Sequence, residues 1–221
     1  MRAVLTVALS AFLATPAAAQ WLGMPVWNSP TGGTGVSISA DYGKPNDAYG
    51  AGHALGGRAS LGVGTVTLTA GVSSYESDSL GTNHVTTWGG NAAFRLIGGS
   101  LLPFAVNLQA GAARTSAIDL GRAQTYVTGA VGFSVPLPTP GISIEPYFSP
   151  GIRYRNFGSG NGTSTEFGYV FGANMSFGLL GAHVAYDNER EKAVAAWGYS
   201  ASVCTRISTC RWACEAESKE G

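Results

Sequence analysis

Two arginines and a glutamate are the residues in this chain best placed to do chemistry together. Arg153 and Arg155 lie two positions apart, and Glu166 follows across the Gly/Asn-rich interval Asn156–Ser164. A spacing of two puts both guanidiniums on one face of an extended strand. A hairpin turning near Gly160 brings Glu166 back roughly opposite Tyr154, so its carboxylate falls between the two guanidiniums. Such a cluster can form a constriction that sorts ions by charge. It can equally be an ion-pair network filling an interior, since a buried charge needs a partner. The second reading is the plainer one and is preferred. Arg95 and Glu145 would form a second layer at the other end.

Catalysis has weaker support. A hydrolase needs a nucleophile, a base and an orienting acid. The histidines are His53, His84 and His183, and only His84 has polar company, with Ser74, Glu76 and Asp78 across a hairpin. There is no G-x-S-x-G. Cys204, Cys210 and Cys214 lie together near the end of the chain without a neighbouring histidine, an incomplete zinc set. No enzyme, cofactor or metal is expected.

The elements that must position these residues are strands. Thr165–Gly178, TEFGYVFGANMSFG, is apolar at Phe167, Tyr169, Phe171, Ala173, Met175 and Phe177 and small or polar at most positions between. Period two is a strand with two unlike faces. Its length fits the ~9–11 residues that a tilted strand needs to cross a bilayer. The pattern recurs at about residues 34–42, 51–62, 65–75, 85–97, 103–114, 123–135, 142–155, 182–186 and 194–203. The reading is an all-β fold: a transmembrane up-and-down antiparallel barrel of about ten strands, with eight as the alternative. Pro146 and Pro150 share the apolar face of 142–155 and predict a bulge or weak pairing there. Short connections alternate with longer polar ones such as Gly43–Gly50, Glu76–His84 and Asp187–Ala193. That asymmetry implies periplasmic turns and outer loops.

Charge decides which face meets lipid. Of the 221 residues, 45% are hydrophobic and only 12% charged, with formal net charge zero. A soluble domain carries about 25% charged residues, and a neutral chain offers no electrostatic case for nucleic acid. Asp41, Arg58, Arg95, Glu145, Arg153, Arg155 and Glu166 all fall opposite the apolar stripe; Arg114 alone has the other parity and sits at a loop edge. Arg or Lys on the lipid face costs ~2–4 kcal/mol at mid-bilayer, so the apolar face is outside. The polar lumen positions are Asn91, Asn107, Gln109, Gln124, Tyr126, Tyr147 and Asn174. Tyr42, Trp88, Phe94, Phe104, Phe133, Tyr154, Tyr169, Phe177 and Trp197 fall near strand ends, as two aromatic girdles would. Small barrels are filled by their own side chains. Ten strands with inward Gly56, Gly71, Gly111, Gly132, Gly168 and Gly172 leave more room, enough for a narrow path.

Residues 1–19 read as a cleaved secretory signal: Arg2, an apolar run, then Ala17-Ala18-Ala19. Residues 20–33 read as a periplasmic lead-in, 34–203 as the barrel and 204–221 as a cysteine-containing tail. From about Thr34 to Val203 the chain resembles the small Gram-negative outer-membrane barrels of the OmpA/OmpX-like kind, in pattern rather than by a signature motif. The resemblance implies a place in the outer membrane, contact with its lipid, and insertion by the barrel-assembly machinery, which reads a last strand ending in an aromatic residue. Here AAWGYSASV runs on into CTRISTCRWACEAESKEG without one. A monomer is expected. The expected role is a passive narrow channel for small solutes or a structural barrel, with surface adhesion through the outer loops as the alternative.

Overall fold

The computed structural model describes residues 34–45, 52–77, 84–98, 102–116, 123–158, 162–189 and 194–205, with 138, 189 and 194–205 as backbone alone. The signal, the lead-in, the tail beyond Thr205, the Trp197 side chain and most of the longer loops lie outside these residues.

The strands are β1 (Gly35–Pro45), β2 (His53–Val63), β3 (Val66–Glu76), β4 (Val85–Ile97), β5 (Ala105–Thr115), β6 (Thr125–Ser134), β7 (Leu137–Thr139), β8 (Ile142–Asn156), β9 (Thr163–Phe177), β10 (Leu180–Glu189) and β11 (Val194–Thr205). Consecutive strands pair antiparallel, β1 pairs β11, and β6 pairs β8. The ten long strands therefore close a ring, and three-residue β7 is a flap hydrogen-bonded to the foot of β8. Closure matters because an open sheet edge cannot satisfy its backbone groups in hydrocarbon.

Tight turns set the register at one end. Gly64 and Gly178 open the two-residue links β2–β3 and β9–β10 with φ of 62° and 58°, left-handed values that glycine adopts without strain. The alternation then runs the length of each strand. Ile38, Leu61, Leu68, Phe94, Leu108, Phe133, Ile152 and Phe171 point outward and are exposed, while Asp41, Thr69, Asn91, Gln109, Thr128, Ser149 and His183 point inward and are buried. A soluble protein hides its large apolar side chains; among the residues whose side chains are described, this one displays them on the outer face, as a lipid-facing barrel must.

Three details depart from the sequence pattern. Strand β10 runs from Leu180 to Glu189, well beyond the short segment at 182–186, so Asp187 belongs to the wall and not to a loop. Strand β11 continues through Cys204 and Thr205. Around Pro150 the pairing of β6 with β8 lapses between Ala130↔Gly151 and Phe133↔Phe148 without a change of register. The proline has no N–H to donate, and of the two expected outcomes, a bulge or weak pairing, the strands show the weak pairing. The bulge lies elsewhere, between Arg95 and Ile97 in the β4–β5 pair.

Candidate functional site

The site is the barrel interior, built from alternate residues of the strands. Its strongest contacts cross from β8 to β10 over the glycines of β9. Arg153 on β8 reaches Asp187 on β10, Nη2 to Oδ1 2.8 Å, with both side chains almost fully buried. Between them lies Gly168: a Cβ there would sit 2.8 Å from Arg153 Nε. Nearer the tight turns, Tyr147 on β8 reaches His183 on β10, hydroxyl to Nε2 2.7 Å, across Gly172. A Cβ on Gly172 would lie 2.8 Å from that hydroxyl. Both glycines act as saddles, since any larger residue would block a bridge that skips a strand.

Arg153 and Glu166 are register partners, one residue off the expected 154. The guanidinium nevertheless turns to Asp187, and Glu166 Oε1 accepts a 2.6 Å bond from the Ser164 hydroxyl. Arg155 lies over the Tyr126 ring, 5.8 Å from its centroid, and the Tyr126 hydroxyl donates to Gln124 at 2.7 Å. Asp41 and Arg58 form an ion pair between β1 and β2 at 3.3 Å. Near the tight-turn end, Glu145 accepts from its register partner Asn174 at 3.1 Å, and Arg95 reaches the Gly64 carbonyl at 3.5 Å. Gln109 donates to Asn107 at 2.8 Å and to Ser149, beyond β6, at 3.4 Å.

The wall of β3 and β4 pairs neutral polar side chains. Ser73 faces Thr87, and Thr69 faces Asn91, across the same strand pair. The Ser73 and Thr87 hydroxyls and both polar atoms of Asn91 are buried without a hydrogen-bond partner. Only Thr69 is engaged, with Ser60 at 2.8 Å.

His183 and Asp187 are central here and were not among the residues singled out from the sequence. The signal is parity: Val184 and Tyr186 are the apolar residues of 182–186, which turns 183, 185 and 187 inward. His53 and His84 flank the exposed carboxylate of Glu76 at the other end of the barrel, at 3.7 and 3.8 Å. Asp78 lies outside the described residues. Among those described, no group of three His, Cys, Asp or Glu side chains could hold a metal.

On the outer surface Tyr42, Trp88, Phe94, Phe104, Phe133 and Phe177 are exposed, and Tyr154 and Tyr169 are partly so. Arg114 also faces outward, opposite Trp88 at the long-loop end.

A closed antiparallel barrel that is apolar outside and polar within is the architecture of a small outer-membrane β-barrel. Solved structures similar to it include the N-terminal β-barrel domain of OprF from Pseudomonas aeruginosa, at 16% identity and TM-score 0.38, covering 78% of this chain and 99% of that one. The β domain of the Bordetella autotransporter BrkA is similar at 13% identity and TM-score 0.48, covering 79% and 100%. The Yersinia pestis outer membrane protein Ail, in a phospholipid nanodisc, is similar at 15% identity and TM-score 0.37, covering 79% and 99%. No protein-family model and no curated protein matches the sequence.

Proposed function

We propose that the protein is a sealed structural barrel of the outer membrane, meeting its surroundings through wall and loops and not through a standing pore. One observation carries this reading. Inward polar side chains from around the ring are almost inaccessible: Thr87 0%, Asn107 1%, Ser73 2%, Arg153 2% and Asp187 2%. A water-filled lumen would keep such side chains wet, as in wide porins; narrow barrels fill themselves. The charged and polar lumen residues serve here as an internal scaffold, and the reading assigns the chain no catalytic step. In the same reading residues 1–19 are the export signal. The tight turns face the periplasm, the longer loops face outward, and the barrel-assembly machinery inserts a monomer.

Planar-bilayer recording on the refolded chain tests the proposal. A protein that inserts and stays electrically silent agrees with it. Steady ohmic steps from the unmodified chain would replace it with the narrow-channel reading.

A further inference from the structure

Charge on the outer face is confined to one end of one arc. Among the residues whose side chains are described, Lys44, Glu76 and Arg114 are the charged ones that face outward, and every other charged side chain faces the lumen. All three stand at the long-loop end, where outward His53 and His84 join them. Each lies within one residue of a strand end, so β1 to β5 present Lys44, His53, Glu76, His84 and Arg114 in turn. Glu76 is the register partner of His53 and sits between the two imidazoles. Permanent cations outnumber the acid two to one in this arc. Lys44 and Arg114 are exposed and form no ion pair among the described residues. On β6, β8, β9 and β10 the outward residues at the same end are Thr125, Asn156, Thr163 and Asn188, all uncharged.

Two rings set the depth of these cations. Tyr42, two residues before Lys44, stacks on His53 at 6.5 Å between ring centroids, and Trp88 is the register partner of Arg114. Tyr and Trp settle at the level of the lipid headgroups, and a cation on the outer face costs little there. We propose that the loop ends of β1–β5 form a binding arc for anionic, phosphate-bearing lipid headgroups of the adjoining leaflet, the outer one in the orientation proposed above. Arg114 offers paired N–H donors that match two phosphate oxygens, and Lys44 offers a point charge. His53 and His84 add ring N–H groups. Lys44 and Arg114 stand four strand spacings of ~4.8 Å apart, too far to share one phosphate, so the arc takes lipids side by side. The β6–β10 side has amides and hydroxyls at this level and no such preference. The barrel therefore wears an uneven lipid shell, anionic beside β1–β5.

This lipid preference holds whether or not the lumen conducts, so the bilayer recording above and the experiment here fail separately. The refolded chain is placed in phosphatidylcholine vesicles doped with a lipid carrying a nitroxide on its acyl chain. Quenching is read from a single fluorophore replacing Leu55 on β2 or Phe167 on β9, both outward and near the loop end of their strands. Phosphatidic acid should be enriched over phosphatidylcholine about fivefold beside position 55, the worth of one nearby cation, and not beside 167. The paired Lys44→Gln/Arg114→Gln chain, first checked for the heat-modifiable gel mobility of a folded barrel, should bring position 55 to the level of 167. Enrichment that survives in the folded double variant, or that is equal at the two positions, would overturn the arc. An ionised fatty acid, anionic but without phosphate, should be enriched less than phosphatidic acid; equal enrichment would overturn the phosphate preference. Millimolar inorganic phosphate should leave the lipid in place, and full displacement would overturn the lipid headgroup as the occupant.

Discussion

The two arcs of this barrel solve the same problem differently. Along β8–β10 the lumen is held by bridges that skip a strand, and the lipid face carries a run of rings, with Phe148 against Tyr169 at 5.9 Å and Phe171 against Tyr186 at 5.1 Å. Along β2–β6 the lipid face is smooth at its middle. Ala59, Ala70, Gly90 and Ala112 follow one another across four strands, with Ala92, Ala110 and Gly129 in the adjoining row. The lumen side of β3–β4 in that arc has hydroxyls and an amide without partners. One arc therefore has bridges that skip a strand inside and close aromatic pairs outside, whereas the other has a smooth outer middle and, on β3–β4, neutral polar side chains that face each other across one strand pair. A closed ladder satisfies the main chain everywhere, so side chains are free to specialise by arc.

The contrast can be broken most severely at the Arg153–Asp187 bridge. Arg153→Ala leaves Asp187 buried without its guanidinium and should cost ~3–5 kcal/mol, whereas Arg153→Met/Asp187→Leu should recover most of that loss. Urea unfolding in lipid vesicles reads both values, and equal losses would mean that the pair is not acting as a unit. Ala70→Arg, in the smooth lipid-facing row, should cost ~2–4 kcal/mol, read in the same way. A neutral outcome would mean that this row does not face hydrocarbon. Gly172→Ala should cost ~1–3 kcal/mol by overpacking, because its methyl runs into the Val184 backbone carbonyl and the Tyr147 hydroxyl. The paired Gly172→Ala/Tyr147→Phe chain should recover only the smaller part of the loss, since the Val184 carbonyl contact remains. Ser73→Ala on the opposite wall should be the mildest change, close to neutral or slightly stabilising, since no hydrogen bond is lost. A loss as large as at Gly172 would erase the difference between the arcs.

Much of the wall is legible from parity alone. Residues alternate with period two and a charge on the lipid face is costly, so Asp41, Arg58, Arg153 and the apolar stripe around Phe171 can be placed on their faces without a structure. Asp187 escaped because the acidic and basic run after it resembles a loop, and strand ends carry no sharp signal. The choice of partner escaped for a different reason. Register names Glu166 as the residue opposite Arg153, but a long guanidinium crosses to the next strand when the neighbour has no side chain, as at Gly168. That outcome depends on three strands at once, which no single alternation contains. β7 was missed because a three-residue pairing between prolines has no period to read.

The most direct test is a scan along β9, Thr163–Phe177, with single fluorophores quenched by a lipid-soluble probe in vesicles. Quenching should alternate, strong at 167, 169, 171 and 173 and weak at 166, 168, 170 and 172. Reversed alternation, or uniform quenching at all these positions, would contradict a barrel with its apolar face in lipid and its charges sealed within.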